Sequence, residues 1–199
     1  MRRLWRLLLA LFFVAVSSYG IAQVEKKKPA ETEKPVETEI TIDKVLSISF
    51  THLHRILLPL AMAMPEDKYE FAPTNGEFKG VRTFGQQLKH VAATNFIYAS
   101  SILGEKPPAD VGEEEEGPAS LKTKAEILKY LNESFAYVQK AVAKINAQNV
   151  VRPIKNPFGQ GEATRLAMAT LIIGHCYDHY GQMVEYLRMN GIVPPASQR

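Results

Sequence analysis

Four apolar stripes of helical period run through this chain, and they restrict it to a helical fold. The first passes through Leu46, Phe50, Leu53, Leu57, Leu60 and Met64, with spacings that alternate between four and three. That rhythm holds every member on one face of a 3.6-residue helix, whereas a strand would scatter them over both faces. It predicts a helix over 42–64, with Pro59 kinking or shortening its last turns. Phe84, Leu88, Val91, Asn95, Tyr98 and Ile102 predict a second helix over 84–103. Ile127, Leu131, Phe135, Val138, Val142 and Ile145 predict a third over 124–145. Leu166, Ala169, Ile173, Cys176, Tyr180, Met183 and Leu187 predict a fourth over 162–190.

The helix ends carry their own signals. Thr83 with Gln86, and Thr123 with Glu126, have the form of capping boxes. Gly191 stands where a left-handed cap would end the fourth helix. Ile192 is placed to fold back onto its last turn, and Pro194 and Pro195 prevent continuation. No convincing strand pattern is present, so the expected class is all-α, a four-helix bundle. Its connections, "PEDKYEFAPTNGEFKGVRT", "GEKPPADVGEEEEGPASLK" and "NAQNVVRPIKNPFGQG", are long for simple hairpins and permit a crossover between parallel neighbours. "GEEEEG" in the second reads as a solvated loop.

Residues 1–22 are expected to be a secretory signal peptide. Arg2, Arg3 and Arg6 precede an apolar run over 7–16, and Gly20-Ile21-Ala22 offers a small-x-small cleavage site. The run is shorter than the roughly 20 residues of a membrane span, and no membrane insertion is expected after cleavage. The chain would then be exported, periplasmic or secreted. Residues 23–40 are charged and Pro-containing, a flexible tether, and the bundle takes 41–199. The whole chain has 24 basic and 21 acidic residues; residues 1–22 hold three Arg and no acid, leaving 21 of each sign. That balance gives no electrostatic case for nucleic acid as a partner. Cys176 is the only cysteine, which excludes an intramolecular disulfide.

Five histidines carry the functional question. His175 and His179 lie four apart on the fourth helix, so their rings share a face and can converge on one ion. Two ordinary polar residues on a helix surface is the competing reading. A metalloprotease is excluded, because its H-E-x-x-H helix needs a Glu where Cys176 stands. A di-iron carboxylate site is excluded too, since no His has a Glu three residues before it. His90 on the second helix is the best-placed third donor. His52 and His54 flank Leu53 about 100° to either side, and both read as surface residues, with His54 the spare ligand. Cys176 points toward the core as a small buried residue. Asp178 could orient a ligand ring; Tyr180 and Gln182 lie close along the same helix as further supporting or substrate-contacting candidates.

"VRTFGQQLKHVAATN" and "HCYDHYGQMVEYLRMNGIVPP" together resemble the DinB-like family over about residues 42–195. The resemblance implies an up-down-down-up four-helix bundle with a long connection between helices two and three. It implies one metal-binding His on helix two and an H-x-x-x-H pair on the last helix, matching His90, His175 and His179. Zinc or nickel is the implied metal. Some relatives are transferases or isomerases using cytoplasmic thiols, which an exported chain would not meet. Two functions follow as expectations. One is a metal-dependent hydrolase or transferase of a small-molecule substrate. The other is a non-catalytic metal- or ligand-binding bundle, forming a homodimer through Tyr180, Tyr186 and the face of helix four.

Overall fold

Two threonines open helices as their neighbours prescribe. The Thr83 hydroxyl accepts the Gln86 N–H at 3.3 Å, while the Gln86 side-chain oxygen accepts the Thr83 N–H at 2.8 Å. Thr123 and Glu126 make the same exchange. Each box satisfies two amide N–H groups that a bare helix start would leave unpaired. The computed structural model describes residues 39–198, and there these boxes begin α2, Phe84–Leu103, and α3, Lys124–Val142. The remaining helices are α1, Ile42–Ala63, and α4, Arg165–Met189. The expected signal peptide, and all but the last two residues of the expected tether, lie outside the described residues.

Two expectations are corrected at the start of α4. A short antiparallel hairpin precedes it, with β1, Pro153–Lys155, paired to β2, Glu162–Thr164. Three-residue strands are too short to show a period of two, and β1 opens on Pro153, a residue that strands disfavour. Because 162–164 are extended, α4 starts at Arg165 rather than 162. Thr164 caps it, its hydroxyl accepting the Ala167 N–H at 3.1 Å. α1 runs through Pro59 to Ala63. Its other end partner is Lys124, whose ammonium donates to the Met62 and Met64 carbonyls at 2.7 Å each. A cation there neutralises the negative end of the helix. Lys124→Met is expected to destabilise the fold by about 1–2 kcal/mol, read as a lower urea midpoint with unchanged slope. Past α4, Gly191 takes φ 72° and Ile192 donates to the Leu187 carbonyl at 3.0 Å, closing the left-handed cap.

Side-chain pairs fix the helix directions. Ser47, early in α1, bonds Gln139, late in α3, so those two are antiparallel. Gly85 packs on Ile127, start against start, and Asn95 bonds Ser134 midway, so α2 and α3 run parallel. Gln87 meets Gln182 and Arg165 meets Ile102, so α2 and α4 are antiparallel. The contacting pairs are α1 with α3 and α4, and α2 with α3 and α4. The bundle is therefore up-down-down-up, and the long segment between α2 and α3 returns the chain to its starting end.

The stripes of the first three helices are the core, apart from a half-buried Tyr98. On α4 the buried face keeps Ala169, Cys176, Met183 and Leu187 of the expected stripe but is wider and shifted to one side of it. Met168, Ile172, His179 and Tyr186 are buried, while Leu166 is exposed and Ile173 and Tyr180 are only half-buried. The added width takes in His179 beside the apolar stripe, where α4 meets α2, and that sets up the site.

Candidate metal centre

α2 and α4 face each other with polar stripes. On α2 they are Gln87, His90 and Thr94, at i, i+3 and i+7; on α4 they are His175, His179 and Gln182, at i, i+4 and i+7. The antiparallel crossing brings His90, His175 and His179 into one cluster. Nε2 of His175 lies 3.1 Å from Nε2 of His90 and 3.1 Å from Nε2 of His179. His90 and His179 are buried, and His175 is half-buried.

The outward nitrogens decide the protonation of the inward ones. His90 Nδ1 donates to the Glu115 carbonyl at 2.8 Å. His175 Nδ1 lies 3.2 Å from the Thr94 hydroxyl oxygen, and that hydroxyl spends its own proton on the His90 or Val91 carbonyl. His179 Nδ1 bonds the Gln87 side-chain oxygen. The Gln87 orientation is set from the far end of a chain. The Asp178 carboxylate accepts from Gln182 Nε2 at 2.9 Å, so the Gln182 oxygen faces Gln87 and accepts from its Nε2 at 2.8 Å. Gln87 is left with its oxygen toward His179. The Glu115 carbonyl and the Gln87 oxygen thus fix a proton on Nδ1 of His90 and His179. With the Thr94 oxygen accepting from His175 Nδ1, all three Nε2 atoms present bare lone pairs to one another.

At 3.1 Å the His175 lone pair repels those of both His90 and His179, with no proton between them. The arrangement is favourable around a cation. With metal–nitrogen bonds of about 2.0–2.1 Å, nitrogens this far apart subtend roughly 100° at the ion. That lies between tetrahedral and octahedral angles, and so is compatible with zinc and with nickel. The donor set fits a divalent transition metal and leaves further coordination positions for other ligands.

The electrostatics agree. Burial pushes His175 down to about 3, helped by the charges of His179 and His90 and, more weakly, Arg82, with Asp178 opposing. Burial, with His90 and Arg82, lowers His179 to about 4. His90 is lowered as well, chiefly by burial and against its bond to Glu115. All three imidazoles are therefore neutral ligands at pH 7.

Residues 49–183 match the sequence model of the DinB superfamily, a span that contains all three histidines. The chain belongs to the DinB superfamily. A crystallised DinB-like protein from Bacillus cereus is similar in fold, with a TM-score of 0.63 at 15% identity, covering 78% of this chain and 96% of that one. A DinB-like protein from Bacillus subtilis has a TM-score of 0.58 at 16% identity, covering 78% and 99%. A conserved protein from Enterococcus faecalis has a TM-score of 0.60 at 15% identity, covering 76% and 98%. No curated protein matches the chain in sequence.

Within this DinB bundle the other candidates separate. Gln182 and Asp178 reach His179 only through Gln87; neither touches a ring. Tyr180 is half-buried against the apolar core. Tyr186 is buried, and its hydroxyl bonds the Arg82 carbonyl at 3.1 Å, so its side chain is committed within the chain. Cys176 is buried and bonds Asn95, and burial pushes its thiol up to about 12. His52 is exposed and bonds Arg55. His54 is not a free surface residue: it is half-buried between α1 and α3, stacked 5.0 Å from Phe135 with Nε2 unpaired. A groove of about 600 Å³ between α1 and α4, lined in part by Lys44, Ile48, Arg55 and Tyr177, includes none of the three clustered imidazoles. The sequence reading missed Gln87, Thr94 and Glu115. The spacing of Gln87 and Thr94 around His90 was a usable signal, but Glu115 contributes a backbone carbonyl, for which no residue type is diagnostic.

Proposed function

We propose that this DinB-superfamily chain is an exported protein that binds one divalent transition metal, Zn2+ or Ni2+, through Nε2 of His90, His175 and His179. It would use that metal in hydrolysis of, or group transfer to, a small-molecule substrate. The convergence of three Nε2 lone pairs, with every Nδ1 proton already satisfied, carries the reading. A divalent ion in such a site acts as a Lewis acid that lowers the pKa of a coordinated water or thiol. The chain's own part is positional. Glu115, Thr94 and Gln87 hold the protons on Nδ1 and aim the rings. The bundle around them keeps the imidazoles neutral.

Metal content of untagged protein tests this. Near one equivalent of a transition metal, or stoichiometric uptake of Zn2+ or Ni2+ by metal-free protein near pH 7.5, is the expected result. Protein that takes up neither ion under chelator-free conditions sinks the proposal.

A non-catalytic bundle that assembles as a homodimer is the second reading. Val45, Ile48, Leu171 and Tyr177 favour it, as exposed apolar side chains on α1 and α4. Such a dimer would use this flank rather than Tyr186. Sedimentation of the metal-loaded protein separates the two, alongside a screen of ester and thiol-transfer substrates. A dimer without turnover supports the second reading.

A further inference from the structure

Arg82 poses an electrostatic problem. Its charge lowers the proton affinity of all three imidazoles, and the same field opposes a metal cation among them. An Arg in that place needs another reason, and the geometry supplies it. Arg82 forks onto Glu116, with Nε 2.9 and 3.1 Å from the two carboxylate oxygens and Nη2 2.5 Å from one of them. Glu116 closes the turn whose Glu115 carbonyl holds His90 Nδ1.

That turn is held against its own preference. Glu114 and Glu115 have φ of 49° and 58°, left-handed values that a side chain disfavours. The turn is also packed without slack. A Cβ on Gly117 would meet Lys89 Cβ at 2.9 Å, and one on Gly112 would meet the Gly117 oxygen at 2.2 Å. Local strain of this kind persists only where its surroundings over-determine it. The Gly117 amide, bonded to the Val111 carbonyl at 2.9 Å, the Glu116 amide, bonded to the Glu113 carbonyl at 3.0 Å, the His90 ring on Glu115 and the Arg82 fork all hold it.

We propose that residues 112–117 are a positioning clamp for His90, and that the Arg82–Glu116 pair is its latch. For its affinity readout the proposal rests on the metal-site reading above. With the latch cut, Glu114 and Glu115 relax toward right-handed backbone and the Glu115 carbonyl leaves His90. The imidazole proton is then free to move to Nε2, where it blocks a metal bond.

Arg82→Gln tests the idea because two accounts predict opposite signs. If Arg82 acts only through its charge, neutralising it tightens binding of Zn2+ or Ni2+, measured against a competing chelator. If it is the latch, binding weakens by about tenfold or more, the range for losing a ligand-orienting contact. Glu116→Gln is expected to weaken it similarly, with the double variant no worse than either single one. A metal-independent readout accompanies these. In metal-free protein, the His90 15N shifts should report one Nδ1–H tautomer in wild type and a mixture in both variants. An Arg82→Gln protein that binds metal as tightly as wild type, or keeps His90 wholly as the Nδ1–H tautomer, overturns the clamp. If Arg82→Gln does not fold, Glu116→Gln on the half-exposed turn is judged by the His90 tautomer, because loss of its negative charge would by itself weaken metal binding; a His90 that stays wholly Nδ1–H there overturns the clamp. Wild type that binds no metal overturns the metal-site reading alone, and the tautomer measurement then decides the clamp.

Discussion

His175→Ala is expected to lower the affinity for Zn2+ or Ni2+ by on the order of a hundredfold or more, while leaving the bundle folded. Structural zinc sites are worth roughly 10–16 kcal/mol in apparent binding energy. Spread over three or four ligands, one imidazole accounts for several kcal/mol, and each 1.4 kcal/mol is tenfold. His175 is the cleanest of the three to remove. Thr94 keeps its bond to the His90 or Val91 carbonyl when its imidazole neighbour is gone. His179→Ala would instead strand the buried oxygen of Gln87, and His90→Ala the Glu115 carbonyl. The variant also removes the lone pair that repels those of His90 and His179. Its metal-free melting temperature should therefore stay level or rise, even as metal ceases to stabilise it. Wild type, by contrast, should gain about 2.7 kcal/mol at a hundredfold excess of metal over Kd. Calorimetric titration together with melts, with and without metal, reads both effects. An unchanged affinity in His175→Ala removes that ring from the ligand set.

The second large effect is on acid stability. Metal-free protein should lose stability steadily as pH falls below about 6.5, the ordinary His value. His175 and His179 have folded values near 3 and 4, and His90 is shifted the same way. Between those values and 6.5 the unfolded chain binds protons that the folded chain refuses. Stability therefore rises with pH across that window; it is complete above 6.5 and lost on acidification. Each His held neutral contributes a slope of roughly 1.4 kcal/mol per pH unit. Urea unfolding of metal-free protein at several pH values between 7.5 and 4 measures it. His175→Gln should reduce the slope by about one group's share, which separates the imidazoles from carboxylates titrating at the acid end. A flat profile between pH 7 and 5 would contradict buried, neutral imidazoles.

Much of this protein was legible along the chain. Stripes spaced three and four apart located the helices, because burial on a helix face is a local periodic property. α2 begins and ends at the expected residues, since Thr83 and Gln86 cap one another within its first turn and Gly104 closes it with a left-handed φ of 75°. Gly191 and Ile192 closed α4 for the same local reason. His90, His175 and His179 could be named from spacing together with the family's pattern. What lay beyond the sequence depends on contacts between distant segments. The hairpin needs ten residues of return to pair Pro153 with Thr164, and its strands are too short to show a rhythm. On α4 the stripe placed Ala169, Cys176, Met183 and Leu187 in the core but not its edge, because Ile173 and Tyr180 extend an apolar pattern that the fold leaves half-buried. "GEEEEG" read as a solvated loop because its composition is acidic. Its contribution to His90 comes from a backbone carbonyl in a left-handed turn, and every residue carries a carbonyl. Sequence alone determined which helices form, because that follows from residue type and spacing, and the family resemblance added which side chains could bind a metal. Only the tertiary structure decided which nitrogen of each ring faces inward, because the proton on the other nitrogen is held by an atom from elsewhere in the fold.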